Sequence, residues 1–167
     1  MNADELRAVQ APLKQKYRTE PGSALVTSRA EAVLDPRRLT AMLAGGQSRI
    51  AGLHPATGGT GREACSADLL LEALVACAAV TLLAVATSLR AGLTGGKVVA
   101  EGTWDARGTL GVDKSVPVGI RSIVLTFELE GSLDAPTRQR LIETTERYCV
   151  ILATLRNPSG VEIRAKP

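Results

Sequence analysis

Apolar positions along the chain follow three rhythms, and each predicts a different element. The run Leu69–Leu89, "LLLEALVACAAVTLLAVATSL", carries Glu72 as its only charge and has no polar face. It predicts a helix that must be covered on every side. Ser66 is the expected N-cap, Asp68 complements the dipole in the first turn, and the helix should stop near Gly92 with Gly95-Gly96 marking the turn. A period of two follows. In "KVVAEGTWDAR" (97–107), Val98, Ala100, Gly102, Trp104 and Ala106 share one face against Lys97, Glu101, Thr103, Asp105 and Arg107; in "RSIVLTFELEG" (121–131), Ile123, Leu125, Phe127 and Leu129 point inward. These are two half-buried strands joined by a long loop. After Gly131 the period becomes helical: with Asp134 as N-cap and Pro136 in the first turn, Leu141, Thr145, Tyr148, Cys149, Leu152 and Leu155 form one stripe of a helix over 135–156, closed by Asn157-Pro158.

The N-terminal third is less regular. Leu6, Val9, Leu13 and Tyr17 predict a helical arm over 3–18, bent or broken at Pro12. "ALVTSRAEAVL" (24–34) reads as a strand that "RLTAMLAGG" pairs with, "GLHPATGGTGREACS" (52–66) as a Gly/Thr-rich loop, and "GVEIRA" as a short closing strand. The class is α+β: one domain over 1–167, with an arm at 1–20 and a core at 24–165. One antiparallel sheet covers one side of the 69–89 helix, and the 135–156 helix covers part of another. A second copy, packed helix to helix around a two-fold axis, would bury the rest, so a homodimer is expected.

Composition narrows the function. The 167 residues are 45% hydrophobic with a net charge of +3, and Arg37-Arg38 is the only adjacent basic pair. That is an ordinary solvated surface, without the basic and aromatic interleaving of a nucleic-acid binder. The apolar run matches the roughly 20 residues of a membrane span. Yet Glu72, Thr81, Thr87 and Ser88 lie within it, and one central acid costs about 2.5 to 3.5 kcal/mol to insert, so no membrane is expected. Residues 1–20 are charged and lack the apolar core of a secretory signal. Three cysteines, an odd number, fit a reducing cytoplasm. No CxxC or His/Cys cluster has metal spacing, and "GGTG" lacks the GK[ST] of a phosphate loop, so no bound cofactor or metal is expected.

The remaining chemistry rests on few residues. Cys77 and Cys149 each lie in an apolar stretch of a long helix and meet at one buried site if those helices pack; as bland alternatives they are small core residues. Cys65 stands at a helix start, where the dipole lowers a thiol pKa, or is a small cap-region residue. Glu72 is costly in an apolar helix unless partnered or facing water. Asp68 is either a dipole-complementing acid or a catalytic one. His54, the single histidine, is a solvated loop residue or part of a site.

Taken together, "CSADLLLEALVACAAVTL" after a Gly-rich loop, a β-meander, and "LIETTERYCVILATL" resemble the OsmC/Ohr family of osmotically induced and organic-hydroperoxide-resistance proteins over residues 24–165. The resemblance implies an OsmC-like swapped homodimer, with antiparallel sheets packed around a long buried central helix. It also implies a cytoplasmic thiol peroxidase for organic or inorganic hydroperoxides. Cys77 matches the peroxidatic cysteine, which becomes a sulfenic acid, and Cys149 the resolving cysteine, which condenses with it to a disulfide. An external dithiol, of which family members favour lipoyl groups, restores both thiols. The chain departs from the family at Ala67, where a glutamate pairs with an arginine; Asp68 or Glu72 is left as the acid, and Arg18, Arg29, Arg49 and Arg62 as candidate cations. Val150 replaces a frequent proline, and His54 occupies a position that often carries an acid, making it a substrate-binding candidate. The other reading is a non-enzymatic dimer that binds a small hydrophobic molecule, with both cysteines as packing.

Overall fold

The computed structural model describes residues 1–44 and 49–165. The chain divides into two compact units, each assembled from separate stretches: Met1–Arg7, Ala73–Val99 and Thr126–Pro167 in one, Ala8–Glu72 and Ala100–Leu125 in the other. In order, the elements are α1 (Ala3–Thr19), β1 (Glu31–Asp35), β2 (Thr40–Ala44), β3 (Arg49–Gly52), β4 (Ala64–Cys65), α2 (Ser66–Leu89), β5 (Leu93–Trp104), α3 (Ala106–Thr109), β6 (Ile120–Gly131), α4 (Ala135–Tyr148) and α5 (Val150–Arg156). This is the α+β class expected, with β1-β2-β3-β4 as one sheet and β5-β6 as a second.

The first unit holds the core. Along α2 the buried positions are Leu74, Ala78, Leu82 and Ala86, four residues apart and therefore on one stripe. Leu82 and Ala86 pack with Leu129 of β6 and Leu141 of α4, and Phe127, Val98 and Ile142 close around them. Helix α2 is long and apolar enough to cross a membrane by length and composition; here it supplies the core stripe. Its opposite face is uncovered in the single chain, with Val80 68% and Leu83 56% exposed. The helix ends in a Schellman motif: the Ala91 amide donates to the Ala86 carbonyl and the Arg90 amide to that of Thr87. Arg90, not a glycine, takes the left-handed position, and its guanidinium pairs with both Asp4 oxygens.

In the second unit β1 and β2 pair antiparallel from Glu31↔Ala44 to Asp35↔Thr40, β2 and β3 are antiparallel, and β3 and β4 parallel. Val33, Met42 and Ile50 are register partners across three strands, and each is at least half exposed.

Several expectations are corrected. Helix α1 runs through Pro12 without a break. The proline removes one N–H, and the carbonyl it would have bonded, that of Ala8, belongs to an exposed residue and is open to solvent. The 24–34 strand exists only from Glu31: Pro21–Ala24 is a 3-10 turn, and 25–30 has no regular structure. The partner strand ends at Ala44, and Gly45-Gly46 lie outside the described residues. The 52–66 loop contains β4, and Ser66 begins the helix. Strand β5 starts at Leu93, so Gly95-Gly96 lie inside it. Gly96 is needed there, with φ 135° and a hypothetical Cβ 2.2 Å from the Glu128 carbonyl oxygen. The strand stops at Trp104 because Asp105 caps α3, accepting the Arg107 amide. The helix expected over 135–156 is two helices, interrupted at Cys149. Tyr148, placed on the buried stripe, is 60% exposed. Residues 157–165 form no strand; Val161 and Ile163 stand in solvent, with no strand beside them among the described residues.

Candidate functional site: two thiols at a helix break

The break at Cys149 organises the site. Its backbone is extended, with φ −74° and ψ 108°, while its amide still donates to Thr145 and its carbonyl still accepts from Ala153. The chain therefore leaves the helix for one residue and re-enters it. The first amides of a helix have no partner within it. Here the amides of Ile151 and Val150 lower the Cys77 pKa, and those of Leu152 and Ile151 act in the same direction on Cys149.

The two thiols are pushed in opposite directions. Burial raises Cys77, but the Ile151 amide, the Cys149 thiol, the Val150 amide and the Thr81 hydroxyl favour its thiolate and together hold its pKa below the ordinary thiol value. Burial raises Cys149 as well, and the amides of Leu152 and Ile151 only partly oppose it. The hydrogen bond it donates to Cys77 and the negative charge there keep its proton on. Cys77 is partly exposed and Cys149 fully buried. The pair is thus one nucleophile with an accessible edge and one protonated neighbour. An open groove of about 460 Å³, lined by Arg147, Tyr148, Val150, Ala153 and Thr154, reaches Cys149.

The structure joins the sequence-derived candidates unevenly. Cys77 and Cys149 are brought together. Glu72 pairs with Arg49 of β3, each about half exposed, so of the four candidate arginines this one holds an acid of α2. Asp68 is exposed and has no side-chain partner among the described residues. His54 is half-buried; its Nδ1 accepts the Ala56 amide at 3.0 Å, and its ring meets Trp104 edge to face at 5.1 Å. Cys65 is a free, partly buried thiol at the end of β4. Among the described residues no group of three or more His, Cys, Asp or Glu is placed to hold a metal ion. The donors that act on Cys77 from the backbone escaped the sequence reading, since a helical stripe gives no sign that it breaks at its own cysteine.

A central apolar helix, a two-stranded antiparallel sheet and two thiols at a helix break characterise this α+β fold. The family model described as OsmC-like protein matches residues 59–164, and the chain belongs to the OsmC-like family. Among solved structures it is similar to an OsmC-like protein from Mycoplasma pneumoniae, with a TM-score of 0.67 and 19% identity over 80% of this chain and 89% of that one. It is also similar to an organic hydroperoxide resistance protein OsmC from Legionella pneumophila, with a TM-score of 0.63 and 19% identity over 80% and 92% of the two chains. The organic hydroperoxide resistance protein OhrB of Bacillus subtilis aligns with a TM-score of 0.55 and 17% identity, over 81% and 94%. At such identities the likeness is one of fold. No curated protein sequence matches the chain significantly.

Proposed function

We propose that this protein is a cysteine-based peroxidase that reduces organic or inorganic hydroperoxides. The reading is supported by the adjacency of Cys77 and Cys149 at the helix break, with the pKa of Cys77 pushed down and that of Cys149 pushed up. A thiolate is the form that attacks a peroxide, and a protonated neighbour is held ready for the second step. The Cys77 thiolate attacks one peroxide oxygen, the O–O bond breaks, and the departing alkoxide takes a proton to leave as alcohol. Cys77 is then a sulfenic acid. The Cys149 sulfur attacks Cys77, the S–O bond breaks, and the hydroxide leaves as water with the Cys149 proton. An external dithiol, by family resemblance a lipoyl group, restores both thiols and is itself oxidised to a disulfide.

The working form is a homodimer. Each unit supports this: α2 leaves Val80 and Leu83 uncovered, and the β1–β3 sheet leaves Val33, Met42 and Ile50 uncovered in one row. By the same resemblance, Arg49–Glu72 serves as the acid–arginine pair that the family builds from another position. The binder reading finds less support. The apolar cleft lined by Leu82, Leu83, Leu93, Val98 and Leu129 holds about 130 Å³, and the larger groove, of about 460 Å³, lies at Cys149, where the thiol chemistry is placed.

Thiol titration before and after one equivalent of cumene hydroperoxide tests the function. Loss of two thiols per chain with a new Cys77–Cys149 disulfide is expected. Cys77→Ser should consume no peroxide, and Cys149→Ser should react once and stop at a trappable sulfenic acid. Unchanged thiols in the native chain would overturn the reading.

A further inference from the structure

Among the described residues Thr145 is the one buried polar residue, and its hydroxyl has no hydrogen-bond partner there. It interrupts an otherwise apolar arrangement: Leu141, Thr145 and Cys149 are fully buried and spaced four residues apart, and Leu141 packs with Leu82 and Ala86 of α2. A buried unpaired hydroxyl costs about 1 to 3 kcal/mol, and valine would fill the same volume without it. The position in the site gives the hydroxyl a use. At one end of the stripe Leu141 packs with Leu82 and Ala86; at the other Cys149 hydrogen-bonds Cys77. Thr145 lies between them on α4, one turn before Cys149. The reduced site offers its hydroxyl nothing to bind. Oxidation adds one oxygen, on the sulfur of Cys77.

We infer that Thr145 is a catalytic residue for disulfide closure: its hydroxyl donates a hydrogen bond to the oxygen of the Cys77 sulfenic acid and holds that oxygen as leaving group. The inference rests on the peroxidase reading above. The bonds made and broken are those of the closure step. The Cys149 sulfur bonds to the Cys77 sulfur, the S–O bond breaks, and the oxygen departs as water with the proton that Cys149 gives up. The Thr145 hydroxyl keeps its own proton and stabilises the charge that gathers on the leaving oxygen, the moment at which a preorganised donor contributes most.

The test follows the two steps separately in the full-length reduced chain, mixed with cumene hydroperoxide. Loss of the Cys77 thiolate is read by absorbance in stopped flow, and sulfenic acid and disulfide by dimedone trapping and mass spectrometry. Thr145→Val should leave the first step within about threefold and slow closure about tenfold, the loss expected for one hydrogen bond to the leaving group. Sulfenic acid then accumulates and over-oxidation to sulfinic acid rises. Thr145→Ser, which keeps the hydroxyl, should close at close to the native rate. The valine variant should also melt no lower than the native chain, because an unpaired hydroxyl has been removed. Native-rate closure in Thr145→Val, an equal slowing of both steps, or a clear loss of stability would each overturn the assignment while leaving the peroxidase intact. A native chain that forms neither sulfenic acid nor disulfide would overturn both.

Discussion

Cys149, the single residue at which the C-terminal helix is interrupted, adjoins Cys77 and lowers its pKa. The amides of Val150 and Ile151, just after the break, act in the same direction, so the reactivity of the site depends on the break as much as on the cysteines.

The pH dependence follows from the two shifts. Cys77 has a folded pKa below its unfolded value, so its ionisation contributes stability above the unfolded thiol value, and this is lost as pH falls through the depressed folded value. Cys149 has a raised folded pKa, so its contribution is present below the unfolded value and lost as pH rises through the folded one. Iodoacetamide should therefore label Cys77 with a midpoint below 9.0, the value for an unperturbed thiol, and Cys149 only at higher pH. Because Cys149 is a donor to Cys77, Cys149→Ser is expected to change the Cys77 midpoint, and Cys149→Ala, which has no donor, to raise it. A midpoint in Cys149→Ala equal to that of the native chain would remove the hydrogen bond from the account.

Val150 offers a separate test of the amides. Its N–H donates to Cys77. It occupies the first position of α5, where proline is well tolerated, and Cys149 before it already has the extended backbone that a following proline requires. Val150→Pro should fold normally. It deletes one donor to a charged group, worth about 1.5 to 3 kcal/mol, and so should slow peroxide attack at neutral pH by tenfold or more. Val150→Ala, which keeps the amide, should not.

The comparison of sequence and structure turns on period against partner. Strand β6 was legible because its alternation is local: Ile123, Leu125 and Phe127 are half-buried and Leu129 is buried, between exposed neighbours, as their spacing requires. Helix α2 was legible because its run from Leu69 to Leu89 carries a single charge, Glu72. Strands β3 and β4 were not, since a two-residue strand exists only through its neighbour, pairing Ala51 with Ala64 and Gly52 with Cys65. The division of 135–156 into α4 and α5 was hidden for a related reason. Leu141, Thr145 and Cys149 keep helical spacing up to the break, and Leu152 and Leu155 resume it beyond, so the periodicity carries across the one residue that departs. The Arg49–Glu72 pair joins positions 23 apart, and only the turn of the sheet selects Arg49 among the arginines.

That pair makes a prediction opposed to the one Asp68 makes. Both partners are about half exposed, so the pair contributes at most about 1 kcal/mol to stability. If Glu72 orients Arg49 for catalysis, Glu72→Gln should slow peroxide reduction about 10²-fold, near 2.7 kcal/mol, with little change in melting temperature. Asp68→Asn should cost only the roughly 0.3 to 1 kcal/mol of a first-turn acid and leave the rate within threefold. The reverse result would move the role to Asp68.

Assembly is tested through the uncovered faces. A chain whose core helix leaves Val80 and Leu83 exposed gains stability when a second copy covers them, and mass action then makes that stability depend on concentration. The native protein should run as a dimer by light scattering at micromolar concentration, with a melting temperature that rises with concentration. Val80→Glu and Met42→Glu each place a charge on one of the two exposed apolar surfaces. In a monomer such surface changes fall within about 0.5 kcal/mol. In a dimer that buries these side chains, an unpaired charge carried into the interface costs several kcal/mol and shifts the population to monomer. If both variants keep the native mass and melting temperature, neither surface is the interface. If only Val80→Glu dissociates, α2 alone carries the contact and the Val33–Met42–Ile50 row faces solvent in the assembled protein.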